Sequence, residues 1–312
     1  MATTTAQTFL SALMQEYYDK KFLSMTKSQL VHEVGAQVRP LPKSSGKIVN
    51  FQKYTQLATI TAALTEATNP TCVNLSATQV SVTVSEFGTY AKISKLLSLT
   101  AVDPNMSGKV EVMGQNAGRS RDYLVRAKSL TGLGTTQRAG GGAAASNVAA
   151  TNTLSAAEIR KALRTLRGNE AMEYEDGYFL GKTNVHSEYD LMGDTTWVNA
   201  HTYKDGEALY AGEIGKLLGV RFLTAKANGY EAANTGTSNA DLWSTYIHGK
   251  EAIGVTELSG DEKHIYVKTP DSHDTSNPLD RYDTVGWAMT FAPVRLNANW
   301  IIEIVCGATG QT

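Results

Sequence analysis

Tyr210-Ala211-Gly212-Glu213-Ile214-Gly215-Lys216-Leu217-Leu218-Gly219-Val220-Arg221-Phe222 is the stretch on which the reading of this chain turns. Three glycines punctuate it, and its pattern predicts a short apolar helix followed by a strand from Val220. It holds no nucleophile, no cluster of metal ligands and no phosphate-cradling Gly-x4-Gly-Lys-Ser/Thr loop. Its residues serve packing and turns. The stretch therefore directs attention to a protein that works through surfaces rather than through a reaction centre.

Outward from it, the whole chain sets the bounds. Its 312 residues suffice for one large domain or two modest ones, and 42% apolar against 19% charged residues describes a globular chain with a sizeable core. A net charge of −1 argues against an overall electrostatic pull toward nucleic acid or anionic membrane. Two cysteines, Cys72 and Cys306, are too few for a disulfide framework and fit a reducing compartment. The N-terminal residues lack a basic segment followed by an apolar run, and no run of eighteen apolar residues occurs.

Periodicity then places the elements of a mixed α+β chain. Residues 6–20 suggest an amphipathic helix with Phe9, Leu13 and Tyr17 on one face, followed over 21–46 by a polar arm broken at Pro40 and Pro42. Residues 47–94 read as extended: Ile48-Val49-Asn50-Phe51 and the alternating Val80, Val82, Val84 bracket nearly thirty residues, a long two-stranded excursion. Residues 103–130 form the clearest helix, capped by Asp103 with Pro104 in its first turn and about 42 Å long. Val110, Met113, Ala117, Leu124 and Ala127 mark its apolar face, and Gly114 and Gly118 within it, each costing about 1 kcal/mol relative to Ala, suggest close approach by a neighbour or plain core packing equally. Residues 132–150 read as a flexible Gly/Ala-rich loop. A helix follows, with a Ser155/Glu158 capping box and a buried face of Ile159, Ala162, Leu163 and Leu166. Trp300, Ile302 and Ile304 share one face of a C-terminal strand.

Motifs for chemistry are missing from this pattern. Gly132-x-Gly134 has Gln137 where a dinucleotide loop needs its third glycine. His186-Ser187-Glu188 lacks the Pro-Cys-x-x-Cys half of a zinc deaminase and reads as a surface helix start. His264, His273 and Asp274 lack metalloprotease spacing and read as solvated loop, and no Gly-x-Ser-x-Gly elbow occurs. The expectation is no enzyme, no cofactor and no metal.

Charge is segregated instead. Residues 119–167 carry nine cations (Arg119, Arg121, Arg126, Lys128, Arg138, Arg160, Lys161, Arg164, Arg167) against Asp122 and Glu158. Residues 168–194 carry seven anions (Glu170, Glu173, Glu175, Asp176, Glu188, Asp190, Asp194) against Lys182. Complementary contact within or between chains ranks above contact with nucleic-acid phosphates, because a DNA-lining chain is expected to be basic overall. Solvated faces worth ~0–1 kcal/mol per exposed pair are the plainer reading.

Five segments together resemble the N4-gp56 family of tailed-bacteriophage major capsid proteins. They are Leu64-Thr65-Glu66, Glu86–Ser94, Ile159–Arg167, Gly212–Phe222 and Thr284-Val285-Gly286-Trp287, in that order across residues 46–307. The resemblance implies the HK97-like fold. Residues 1–45 would be an N-terminal arm and 46–95 an extended E-loop lying across a neighbour. Residues 96–172 would be a P-domain with its spine helix at 103–130, residues 173–258 mostly an A-domain, and 259–312 strands returning to the P-domain sheet. It further implies pentamers and hexamers in an icosahedral shell around double-stranded DNA, in a virion assembled in the bacterial cytoplasm. A portal would be a partner, with scaffold and decoration proteins as separate chains where they occur. DNA would be contacted non-specifically and no membrane engaged. The chain begins close to the fold, so a long fused scaffold is not expected.

On that reading Tyr54, Leu57 and Leu64 would make E-loop contacts and Arg119, Arg121 and Arg126 contacts from the spine helix, with Glu173, Glu175 and Asp176 as acidic partners. Replacing Arg121 and Arg126 by Glu is then expected to block assembly and leave the subunit folded. An encapsulin-like compartment holding protein cargo, and a soluble enzyme with a hidden site, are the alternative readings.

Overall fold

The computed structural model describes residues 17–27, 30–54, 57–70, 72–100, 106–133, 135–195, 213–226, 230–232, 235–259, 264–268, 278–279 and 281–309. Helix α1 is seen over residues 17–27. Strands β1 (Gln37–Leu41), β2 (Ile48–Tyr54), β3 (Ala77–Thr83) and β4 (Ser85–Ser94) follow, then α2 (Lys95–Thr100) and α3 (Met106–Val125). The middle of the chain carries β5 (Thr136–Arg138), α4 (Ala156–Gly168), β6 (Phe179–Asn184), α5 (Val185–Gly193), β7 (Glu213–Leu217) and β8 (Val220–Ala225). It ends with β9 (Tyr230–Ala232), β10 (Leu242–His248), β11 (Ile253–Leu258), β12 (His264–Lys268), β13 (Tyr282–Arg295) and β14 (Ile301–Cys306).

These strands build two sheets and a separate hairpin. The first sheet runs β1-β11-β13-β12, with β4 also paired to the fourteen-residue β13. The second runs β5-β14-β10-β6-β8-β7, with β9 beside β10. Strands β10, β6 and β14 are buried at every position, as central strands covered on both faces should be. The C-terminal stretch, expected to return to a single sheet, divides: β13 joins the first sheet and β14 the second. The reason is the short connection 296–300, which turns the chain from one core into the other.

Each sheet has its own helix. The α3 face of Val110, Ala117 and Val125 packs on Val285, Trp287, Met289 and Phe291 of β13, and the Trp287 indole donates to Asn116 at 3.0 Å. The α4 face of Ile159, Ala162, Leu163 and Leu166 packs on Phe179, Phe222, Ile247, Ile302 and Ile304, with Trp300 against the same core. Both faces follow the expected helical spacing. The expected caps Asp103 and Pro104 of the long helix, and Phe9 and Leu13 of the N-terminal one, lie outside the described residues.

Four local expectations are corrected. First, the Glu213–Ala225 region is a hairpin of β7 and β8, not helix then strand. Leu218 (φ 54°) and Gly219 (φ 84°) both take the left-handed conformation of a tight primed turn, whose twist matches the paired strands. An apolar run this short fits either period, so the turn decides. Second, residues 132–150 are no flexible loop. Strand β5 pairs in parallel with β14, and Ala139 and Val148 are buried. Third, the α4 capping box does not form. Ser155 makes no side-chain cap bond; the Asp194 carboxylate accepts from Ala156 N–H at 3.0 Å, while Glu158 accepts from Gln137 (2.6 Å) and pairs with Lys161 (2.7 Å). Fourth, His264 sits in a strand, whereas His273 and Asp274 lie outside the described residues.

The N-terminal segment is also more than a polar arm. Phe22 is buried against α3, and Thr26 Oγ1 donates to Phe22 O (2.9 Å) and Gly114 O (3.3 Å). A Cβ on Gly114 would stand 3.0 Å from Met25 Cβ and from Phe22 O. The glycine that weakens the helix by about 1 kcal/mol thus lets α1 seat on it. At its far end α3 widens into a π-turn over Arg126–Leu130, and the Arg295 guanidinium donates to the freed carbonyls of Ser129 (3.1 Å), Thr131 and Gly132 (3.2 Å). Gly114→Val, which overfills the α1 seat, is expected to lower stability by ~1–3 kcal/mol. Urea unfolding measures this; an unchanged midpoint would show that α1 does not depend on the close approach.

Candidate assembly surfaces

The β2–β3 hairpin stands apart from both sheets. Its seven-pair ladder runs from Ile48↔Thr83 to Tyr54↔Ala77. Alternation turns Val49 and Phe51 inward onto Leu41, Val84 and Ala292, and turns Ile48 and Tyr54 outward. This is the long two-stranded excursion expected from the sequence. Beyond the ladder, residues 57–70 and 72–76 form no strand or helix, and Leu57, Ile60 (80% exposed), Leu64 (73%), Val73 and Leu75 all face outward. Among the described residues this tip holds one backbone hydrogen bond, Thr68 N–H to Thr65 O at 3.2 Å. Five large apolar side chains on one projection are a patch that a lone subunit leaves wet; burying them is worth on the order of 10 kcal/mol gross.

A second outward feature is the turn 170–177. Tyr174 anchors it: its hydroxyl donates to Gly35 O at 2.9 Å, its ring stacks on Tyr178 at 5.6 Å, and Tyr174 N–H bonds Tyr178 O at 2.9 Å. Burial raises the Tyr174 pKa, so the hydroxyl stays protonated as the donor. The anchor holds Glu173, Glu175 (90% exposed) and Asp176 out into solvent. Arg167 pairs with Glu173 at 3.4 Å and Lys250 with Glu175 at 3.5 Å, exposed pairs worth ~0–1 kcal/mol each. The acidic and basic segments of the sequence thus meet first within one chain.

Of the expected contact residues, Tyr54, Leu57, Leu64, Glu173, Glu175, Asp176 and Arg119 are exposed. Arg121 and Arg126 are not. Arg121 is fully buried and its guanidinium holds Glu33 (2.7 and 2.6 Å) and Glu257, over the Phe291 ring. Burial opposes its charge, but the bonds and charges of the two glutamates outweigh that and raise its pKa. Arg126 is buried beside Tyr123. Neither is available to a neighbour, and the charge segregation read as surface is partly interior.

What the two arginines and their neighbours build is a polar joint around residues 30–36. Asp122 accepts from Val31 N–H (2.8 Å), His32 N–H (2.7 Å) and His32 Nδ1 (2.7 Å). Lys182 of β6, wholly buried, donates to His32 O at 2.5 Å. His248 of β10 lies beside them with Nδ1 3.0 Å from Gly249 O. Segment 30–36 is therefore gripped by α3, by β11 through Glu257, and by β6 of the other sheet. Pattern reasoning missed this joint because its partners are up to 150 positions apart. The signal in the sequence was a lone lysine in an otherwise acidic segment.

Burial pushes His32 and His248 down despite the Asp122 contact on His32, and lowers Lys182 to about 7. Burial opposes the Asp122 charge, yet its bonds to His32 and the backbone bring its pKa below the ordinary value. Unfolded imidazoles take up protons near ~6.5 while the folded ones resist, so stability falls as pH drops below that value. Between about 7 and ~10.4 the unfolded lysine binds a proton that folded Lys182 lacks, so stability rises with pH there. The lowered Asp122 adds a loss in strong acid.

Nothing in these surfaces resembles a reaction centre. Among the described residues no group of three His, Cys, Asp or Glu can hold a metal, and no helix is long and apolar enough to cross a membrane. Cys306 is buried, which pushes its thiol up to about 11, far from a reactive thiolate.

Comparison with known proteins agrees with this geometry. The sequence model described as phage capsid protein matches residues 10–307. No functionally curated protein shows significant similarity. Among solved structures the chain is similar to the cyanophage Pam1 capsid (17% identity, 93% of each chain, TM-score 0.66). It is similar to the capsid of Ralstonia phage GP4 (13%, 92% of this chain and 91% of that one, 0.68) and to the head of Helicobacter pylori bacteriophage KHP40 (13%, 90% and 89%, 0.63).

The joint and the acidic turn respond differently to change. Urea midpoints are expected to rise steadily from pH 5 to 9, and Lys182→Met to flatten the upper part; a pH-independent midpoint would contradict the joint. Arg121→Glu is expected to cost ~3–5 kcal/mol and give insoluble protein, reversing the expectation of a folded, assembly-blocked subunit. Glu175→Lys, on the exposed turn, is expected to leave the thermal unfolding midpoint unchanged.

Proposed function

This chain belongs to the phage capsid protein family and has the HK97-like fold of its structural relatives, and from that premise we propose how its surfaces build a shell. It is a major capsid protein, a structural subunit of an icosahedral shell and not an enzyme. In our reading, subunits join as pentamers and hexamers around double-stranded DNA in a tailed-phage virion assembled in the host cytoplasm. The five sequence segments support the finer placement in the N4-gp56 type. The hairpin and tip within 46–95 act as the E-loop, the sheet with α3 as the P-domain, and the sheet with α4 as the A-domain. Residues 1–45 act as the arm, anchored at α1 and at the polar joint. A portal, and separate scaffold or decoration proteins where present, complete the particle; DNA is contacted without sequence readout.

The observation that carries this reading is the tip: a projection whose large side chains are exposed, on a body whose cores are closed. Such a surface is satisfied only by another molecule. Many modest contacts, repeated by symmetry, add up to a stable container. The exposed acidic turn sets orientation and register between subunits more than affinity.

Negative-stain microscopy with light scattering tests this on the purified chain. Closed shells or ring-shaped capsomers are expected; a monomer that no scaffold rescues would refute the shell reading. Native particles are expected to hold DNA; protein cargo in its place would favour a compartment. Leu64→Asp is expected to leave the monomer's unfolding midpoint unchanged and to lower particle yield by about tenfold or more, the equivalent of ~1.4 kcal/mol per contact. Normal yield would remove the tip from assembly.

A further inference from the structure

Helix α4 turns a row of cations outward. Arg160, Arg164 and Arg167 recur at i, i+4 and i+7 with Lys161 beside them, and all four are exposed, opposite the buried face that packs on the second sheet. Lys161 pairs with Glu158 at 2.7 Å, and Arg167, at the end of the row, pairs with Glu173 at 3.4 Å. Arg160 Nε donates only to its own helix, to Ala156 O at 3.4 Å. Among the described residues neither Arg160 nor Arg164 has a carboxylate partner.

The acidic turn adjoins this row but cannot reach along it. Glu170 N–H bonds Arg167 O at 3.1 Å and Ala171 N–H bonds Leu166 O at 3.0 Å, which ties the turn to the C-terminal end of α4. Lys250 N–H bonds Met172 O at 2.8 Å, and Gly177 N–H closes the turn on Tyr174 O at 2.8 Å. Arg160 lies about 10 Å along the helix axis from Arg167. Within one chain, therefore, Glu173 meets the row only at its last residue. Glu170 and Asp176 are exposed and have no cation partner among the described residues, and Glu175 has the exposed Lys250. Each subunit thus carries a fixed run of cations and a fixed run of anions whose far ends do not meet.

We propose that the outward face of α4 receives the acidic turn 170–177 of a second copy of this chain, with Arg160 and Arg164 taking its Glu175 and Asp176. Guanidinium groups suit that task, because their planar fork holds a carboxylate with two parallel bonds. Charge selects the occupant. Four exposed cations on the helix match four exposed anions on the turn, in a chain of net charge −1, so contact between copies cancels charge on both sides. A nucleic-acid backbone fits less well: laid along the row, its phosphates would run into the acidic turn at the end of α4. The inference rests on the shell reading and adds to it the surface that takes the turn. Salt screens such exposed charges, so the contact fixes register and weakens as ionic strength rises.

Charge reversal tests this on the whole chain. Arg160→Glu with Arg164→Glu, and separately Glu175→Lys with Asp176→Lys, should each lower particle yield about tenfold with the thermal unfolding midpoint unchanged, and the four changes together should restore it. Independent effects, or normal yield from either reversed pair, would overturn the contact and leave the shell reading standing. Normal yield of particles that have lost their DNA would overturn it too, assigning the row to nucleic acid. A second variant keeps the charge and needs no change in assembly: Arg164→Lys particles are treated with a zero-length carbodiimide, which joins an amine to a carboxylate in direct contact. Covalent dimers linked from position 164 to the 173–176 peptide are expected, about tenfold more abundant in particles than in dissociated subunits, as the high effective concentration in an assembly requires. Linkage within one chain, or none, would overturn the contact. Wild-type protein that never forms particles would overturn the shell reading itself.

Discussion

One buried cation holds this subunit together. Arg121 is sealed from solvent with Glu33 and Glu257 on its guanidinium, and the adjacent Asp122 grips the backbone of residues 31 and 32. Removing a full charge from water costs several kcal/mol, so the arrangement persists only when every partner is in place. That requirement fixes where the N-terminal segment lies, and through Lys182 and Glu257 it sets both sheets against the same strap. Apolar packing fills each core but is indifferent to small slips between them. The polar joint is directional and admits one geometry.

Rigidity inside contrasts with incompleteness outside. The cores of α3 with β13 and of α4 with the second sheet are closed, while the hairpin projects side chains that, among the described residues, nothing covers. A monomeric enzyme built this way would aggregate at its tip. A shell subunit needs the opposite balance: a body stiff enough to hold its angles and edges too weak to bind until many meet at once. The acidic turn fits that balance, since its contacts within the chain are exposed and worth little, leaving its charge for orientation.

Much of the fold was legible in the residues. The two amphipathic faces of α3 and α4, the alternating valines of the hairpin and the long excursion between its strands each follow from a local period. The corrections share a cause. The Glu213–Leu217 segment reads as helix because a run this short satisfies two periods, and the primed turn at Leu218-Gly219 chose between them. Ser155 and Glu158 make a plausible cap until Asp194, 38 positions beyond Ala156, takes the first helical N–H. The glycine-rich loop is ordered by β14, whose Glu303 faces Thr136 from 167 positions away.

The same division holds for function. By itself the sequence determined the composition of a globular chain without catalytic motifs, the elements that carry it, and the resemblance that named a shell fold, because these depend on local periodicity and on residue types. Only the tertiary structure decided which charges are surface and which are interior. Arg121 and Arg119 stand two positions apart on one helix, yet the first is locked between the 30–36 segment and the first sheet, through Glu33 and Glu257, and the second faces outward. Helical rotation of about 200° over two residues separates them, and what lies on either side is set by distant strands that no local window contains.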